Sequence, residues 1–409
     1  MRGLGTDLIR ERNLLVRPRL SQARAEALLR ELVNIDSPTS SWHGVNRVQR
    51  VVARELESLG FDVRFILNPR IDVRSGDLLL AELRGETPEF ITFVCHADTA
   101  LDLDSCHGFR ISKSDPLRAY GAGVADNKGG ITVLIEGLRY YIEGLRRIRR
   151  RPRRSLRVVC SPNEEDGSLG FHDLFRSCAL DSELVLGFEP ALENGSIIEA
   201  RRGSRWYQIH VKGQEAHAGR CRGEQINAAH ELAITLAKLH ALNDPEADIS
   251  VNVGQIQGGR DRFNIVCGEA WAKIDARFPT IASRDALHFE IERILFTPYV
   301  SSSVTGRAAE TEYEIIADCP PFSSSPDTYP IIEFYLQTIS RIEGREVRSE
   351  RTGCSGDVNY MSRKGVAVFD GLGPVGGCVH TPDEYVHLPT LSSRALALAV
   401  LLDGPGSYF

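Results

Sequence analysis

The chain has 409 residues, enough for two or three domains, and its 42% hydrophobic and 25% charged residues are those of an ordinary globular protein. A formal net charge of −6 is too mild to point to a nucleic-acid or membrane partner, and no stretch approaches the roughly 18 uninterrupted apolar residues of a membrane span. Nine scattered cysteines without a CxxC pair fit a reducing compartment such as the cytoplasm, and the amino-terminal stretch MRGLGTDLIRERNLLVRPRL has arginines but no apolar core, so it does not read as a secretory signal.

Apolar residues at helical spacing predict a helix over 22–35, ended by Asp36-Ser37-Pro38-Thr39, and a second over 45–59, closed by Gly60. Residues 61–65 alternate as a strand, 78–83 form another, and 90–95 read as a buried strand rich in β-branched and aromatic side chains. A long helix over 131–146 follows Gly129-Gly130. The basic run 147–154, broken by Pro152, reads as a solvated helix end and loop. Strands at 156–160 and 184–187 complete an alternation that implies an α/β domain, a largely parallel sheet flanked by helices.

Near residue 200 the pattern changes. Strands at 206–211, 249–256, 270–278 and 311–316 with helices at 225–242 and 283–296 give the order β-α-β-β-α-β of a ferredoxin-like sandwich. A helix at 329–342, a strand at 366–370 and a helix at 391–402 then resume the first domain. The expected division is 1–199 and 319–409 around an insert at 200–318.

The residues able to carry chemistry follow the expected strand ends, where open α/β sheets place their ligand sites. His96 and Asp98, two apart in extended chain, point to the same side, and a histidine beside a carboxylate is a common metal-ligand arrangement. In Gly121-Ala122-Gly123-Val124-Ala125-Asp126-Asn127-Lys128-Gly129-Gly130 a dinucleotide turn is disfavoured. Asp126 stands where the third glycine would be, and no strand leads directly into it. A carboxylate held there could cap the helix or bridge two cations. Glu164-Glu165-Asp166 are adjacent acids at a strand end, which repel unless something positive is present. Glu165 could bind metal while Glu164 faces a water. Glu189 ends the next strand, and His380 lies in a late glycine-rich loop. Two histidines with these carboxylates suit Zn²⁺, with Mn²⁺ or Co²⁺ as alternatives.

The combination HxD, GxGxxDxKGG, Glu-Glu, Phe188-Glu189-Pro190 and Gly376-Gly377-Cys378-Val379-His380-Thr381-Pro382-Asp383-Glu384 resembles the M20 family of metallopeptidases, over nearly the whole chain. The resemblance implies a zinc-peptidase-like sheet with an inserted lid and dimerisation domain. It implies two divalent ions: His96, Asp126 and Glu189 for one, Asp126, Glu165 and His380 for the other. Asp98 would orient His96, Glu164 would be the general acid/base, and the Asp126–Asn127 peptide would be cis. His217, in Gly213-Gln214-Glu215-Ala216-His217-Ala218-Gly219, would support the oxyanion, and Asn264 and Arg277 would contact a substrate carboxylate. Asp275 and Arg277 read equally as ordinary strand residues. Two departures bear on substrate identity: an extra glycine in Cys354-Ser355-Gly356-Asp357, and one additional residue before Asn264.

The expected activity is hydrolysis of an amide or peptide bond next to a free carboxylate, by a homodimer paired through the lid. N-acyl-amino-acid deacylation is the alternative within the family. A metal- or ligand-binding homologue without turnover is the alternative outside it, and the loss of Glu164 or of a ligand would have marked it. Neither is lost.

Overall fold

The computed structural model describes residues 21–106 and 108–404. The amino-terminal stretch read above for a targeting signal lies outside them.

Helix α1 (Gln22–Val33) starts on Ser21, whose hydroxyl accepts the Arg24 N–H, and buries Leu28, Leu29, Leu32 and Val33. Helix α2 (Trp42–Leu59) ends where Gly60 turns left-handed at φ 98°. Strands β1 (Asp62–Ile66), β2 (Leu78–Leu83) and β3 (Phe90–His96) follow, the last buried along its whole length. Helix α3 (Lys128–Arg147) is buried from Lys128 to Leu138. Strand β4 (Ser155–Ser161), helix α4 (His172–Ala179) and strand β5 (Ser182–Gly187) come next.

The second stretch contains strand β6 (Gly203–Lys212), helix α5 (Ala228–His240), strands β7 (Ser250–Gly258) and β8 (Glu269–Phe278), helix α6 (Ile281–Leu295) and strand β9 (Glu310–Cys319). The chain then returns with helix α7 (Tyr329–Glu343), strand β10 (Ala367–Phe369) and helix α8 (Leu388–Leu402). Among the described residues, one compact unit comprises 21–200, 323–351 and 356–404; the other comprises 201–322 and 352–355.

In the first unit the sheet order is β1-β2-β4-β3-β5-β10. β3, β4, β5 and β10 are parallel, while β1 and β2 join antiparallel at one side, so the sheet is mixed and largely parallel. Helices flank it over a core that includes Phe93, Val158, Leu186, Leu134 and Leu398. Gly137 on α3 lets α8 approach so closely that a Cβ there would sit 2.6 Å from Leu398 Cδ2.

In the second unit the order β7-β8-β6-β9 is antiparallel throughout and, with α5 and α6, is ferredoxin-like. Inward residues alternate along β8 (Ala270, Ala272, Ile274, Ala276, Phe278), and Leu232, Leu236, Leu287 and Ile291 of the helices complete its core. Helix α6 begins two residues earlier than its apolar pattern suggests, because Thr280 and Ser283 form a reciprocal capping box.

The first turn of α3 lies directly on the chain leaving β5: a Cβ on Gly130 would stand 1.9 Å from the Phe188 carbonyl oxygen. Neither backbone can yield cheaply. Gly130→Ala is therefore expected to lower unfolding free energy by about 1–3 kcal/mol or more, read from the denaturant midpoint. A change below about 0.5 kcal/mol, the size of a neutral surface substitution, would contradict this packing.

Candidate metal centre

Because β3, β4 and β5 are parallel neighbours, their carboxyl ends open on one edge. His96 ends β3 opposite Ser161, the last residue of β4, and Val94 stands opposite Gly187, the last of β5. His96, the Glu164–Glu165 pair and Glu189 are therefore delivered to one rim by strand register alone.

Asp98 organises that rim from behind. It is fully buried, and its Oδ1 lies 3.2 Å from His96 Nδ1. Its carboxylate also accepts the Thr39 hydroxyl (2.7 Å) and the backbone N–H groups of Glu164 (3.1 Å) and Glu165 (3.2 Å). One side chain thus orients the histidine and anchors the turn carrying both glutamates. That turn, Glu164–Asp166, is a single 3₁₀ turn.

Asp126 stands between two histidines. Its Oδ1 is 3.0 Å from His96 Nε2 and its Oδ2 is 3.4 Å from His380 Nε2. Glu189 Oε1 lies 3.6 Å from His96 Nε2, and Glu165 Oε2 lies 3.1 Å from His380 Nε2. The Asp126–Asn127 peptide is cis. Two groups result, His96-Asp126-Glu189 and Asp126-Glu165-His380, each with ligand atoms within 4.8 Å of one another. His380 lies in a loop that turns left-handed at Cys378 (φ 54°) and His380 (φ 61°), and it is about half exposed.

The sequence pattern gives Glu384 no role. Its buried carboxylate accepts the N–H groups of Gly123 (2.8 Å), Ala125 (2.8 Å) and Asp126 (2.9 Å), fastening the glycine-rich turn that presents Asp126. Burial raises this carboxyl to about 7. Asn127 donates to the Phe188 carbonyl (3.1 Å), and the buried Lys128 ammonium donates to the Ile35 carbonyl (2.9 Å). Asp370 accepts the Glu189 N–H at 3.3 Å. The final glutamate of the GG-x-x-H-x-x-x-E stretch was the only sequence signal for Glu384. Asp370 had none beyond its place at the end of the expected strand 366–370.

The charge balance fits divalent cations. Burial, and after it the neighbouring Glu189, push the Glu164 carboxyl well above the usual carboxylate range, and burial raises Glu165 as well. Burial opposes ionisation of Asp126 too, yet hydrogen bonds from His380 and His96 hold it well below its ordinary value. Hydrogen bonds to Asp126 and Glu165 pull the His380 imidazole up to about 11. Burial works against a charged His96, but Glu189, Asp126 and Asp98 outweigh it and raise it well above its ordinary value. A cluster that favours protons on its imidazoles favours cations at the same places, for the same Coulombic reason. Three candidate ligands per group, imidazole mixed with carboxylate, would also leave room for water or substrate, as catalytic sites require.

In the second unit, His217 and Asn264 come together at the surface: Asn264 Nδ2 is 3.5 Å from His217 Nε2, and the Ala218 N–H donates to the Asn264 carbonyl at 2.9 Å. Arg277 is engaged within its own unit, by Asp275 Oδ2 (2.8 Å) and the Gly353 carbonyl (3.0 Å). Among the described residues no hydrogen bond reaches its Nη2.

Fold and donor set together define a metal-dependent peptidase or amidohydrolase, and comparison with known proteins agrees. The model of the M20 peptidase dimerisation domain matches residues 200–302, and that of peptidase family M28 matches 79–219, the stretch holding His96, Asp126, Glu164, Glu165 and Glu189. Carboxypeptidase G2 of Pseudomonas sp. (strain RS-16) is 24% identical over 91% of this chain and 87% of that protein. Succinyl-diaminopimelate desuccinylase of Gluconobacter oxydans is 25% identical over 93% and 97%. Among solved structures, a Staphylococcus aureus tripeptidase shares the fold with a TM-score of 0.73, at 20% identity over 93% of this chain and 97% of that one. An M20 metallo-carboxypeptidase of Sulfolobus solfataricus shares it with a TM-score of 0.70, at 14% identity over 92% and 98%. The chain is similar to M20 metallopeptidases over most of its length, and its homologues support an enzyme.

Glu384 supplies a test of how the site is held. Glu384→Ala leaves three N–H groups at the Asp126 turn unmet and is expected to weaken zinc affinity about 10- to 100-fold in competition with a chromogenic chelator, the usual cost of losing a supporting partner. Unchanged affinity would show that the turn holds Asp126 without it.

Proposed function

We propose that this enzyme hydrolyses an amide or peptide bond next to a free carboxylate. His96, Asp126 and Glu189 would hold one divalent ion and Asp126, Glu165 and His380 a second, with Zn²⁺ the ion the mixed imidazole–carboxylate donors suit and Mn²⁺ or Co²⁺ the alternatives. The observation that carries this reading is the placement of Asp126, whose two oxygens address two separate histidine groups. When bound, the ions supply Lewis acidity toward the carbonyl and acidify water.

The chain's own residues do the rest. Glu164 takes the proton of the attacking water at its carboxylate and delivers it to the leaving amine. Its burial among acids suits a group that must hold that proton between the two steps. Asp98 keeps the His96 ring turned so that Nε2 faces the rim, and it keeps the Glu164 turn in register with that ring. From the second unit we assign His217 to the developing oxyanion, and Asn264 and the free Nη2 of Arg277 to the substrate carboxylate. The match to a peptidase dimerisation domain supports a homodimer paired through that unit. The nine cysteines are all free, which suits the cytoplasm.

Two named relatives bracket the substrate. One is a carboxypeptidase and the other a desuccinylase, so deacylation of an N-acyl amino acid is the alternative reading of the same chemistry. A mass-spectrometric screen of dipeptides and N-acyl amino acids with zinc, manganese or cobalt decides between them. Turnover should vanish with a chelator and return with metal. Glu164→Gln should keep its metal and lose about 10²- to 10⁴-fold in kcat. Full turnover in that variant would remove Glu164 from the mechanism.

A further inference from the structure

Behind the Glu164 turn lies a buried polar cluster that the reaction above does not use. Ser161 Oγ and Ser168 Oγ are 3.0 Å apart, and the Ser168 hydroxyl donates to Asp357 Oδ1 at 2.5 Å. All three side chains are buried, although they come from the end of β4, the far end of the Glu164 loop and a turn nearly two hundred residues away, Asp357–Met361.

The geometry of the loop gives this contact its meaning. Residues 162–167 loop out beyond Ser161, the last residue of β4, and the chain comes back beside it at Ser168, so the two hydroxyls close the loop at its base. The Gly167 N–H donates to the Glu164 carbonyl (2.7 Å) and the Ser168 N–H to the Asn163 carbonyl (2.8 Å). Ser168 adopts φ 52°, a left-handed conformation that glycine would take without strain. A serine kept in that conformation is explained by its hydroxyl, which reaches both Ser161 and Asp357. The Asp357–Met361 turn braces the loop a second time: His172 Nε2 donates to the Gly167 carbonyl at 2.8 Å, and its ring stacks on Tyr360 at 4.2 Å with planes 15° apart.

We propose that Asp357 is a positioning residue for Glu164, holding the loop through Ser168 so that the Glu164 carboxylate meets the water and the leaving amine in one fixed geometry. The proposal rests on the reading of Glu164 as the general acid/base. It assigns Asp357 no contact with substrate or metal.

The test uses the full chain loaded with one metal, and the most rapidly cleaved member of a pool of N-acetyl amino acids and dipeptides. Asp357→Ala and Ser168→Gly, the latter compatible with the left-handed backbone, should each lower kcat about 10- to 100-fold, the scale of a reacting group displaced by an ångström, with KM and metal content little changed. Asp357→Asn, whose amide oxygen can accept the same hydroxyl, should recover most of kcat. In a Glu164→Gln background, Asp357→Ala should cost nothing further. An equal loss in both backgrounds, or a loss carried by KM or metal content, would overturn the positioning role. If Glu164→Gln alone keeps full activity, or if the wild type cleaves no member of the pool, it is the proposed reaction that fails. Hydrogen exchange of residues 162–168 then still decides whether Asp357 holds the loop: faster exchange in Asp357→Ala is expected, and unchanged exchange refutes it.

Discussion

Asp126, Glu164, Glu165 and Glu189 stand together at one rim of the sheet, with Asp98 and Asp357 buried behind them. Like charges at such range, partly shielded from water, cannot all remain ionised unless positive charge is placed among them. His96 and His380 are the positive partners the chain itself provides, and both are driven toward their charged forms. Divalent cations would meet the same demand more completely, so the site is built around an electrostatic debt that the protein alone leaves partly open.

The fold satisfies the geometric side of that demand with few devices. Parallel register brings three strand ends to one edge, with the candidate ligands His96 at the end of β3 and Glu165 and Glu189 just beyond β4 and β5. Asp98 and Glu384 then act as paired anchors. One ties the His96 ring to the Glu164 turn; the other ties the late His380 loop to the turn that presents Asp126. Both use a buried carboxylate accepting backbone N–H groups, an arrangement that fixes the candidate ligands in place.

Much of this was legible in the sequence because its signals are local. The buried run Phe90–Cys95 and the polar residues after it mark a strand end directly, and the switch in pattern near residue 200 reveals the ferredoxin-like order. The hidden features are those whose partners are remote. Glu384 bonds to backbone groups about 260 residues away, and Asp357 meets Ser168 across 189 positions, so no local spacing shows what either one holds. Helix α4, eight residues long, was too short to show a period. The ion pair between Arg277 and Asp275 is the ordinary strand pairing that their two-residue spacing allows, and it leaves only part of the guanidinium for a ligand.

The most direct measurement is a crystal structure of the zinc-loaded protein with anomalous scattering recorded at the zinc edge. The account predicts two peaks, one on each side of the Asp126 carboxylate, the first beside His96 and Glu189 and the second beside His380 and Glu165. A single peak, or zinc bound elsewhere with these side chains unengaged, would contradict it.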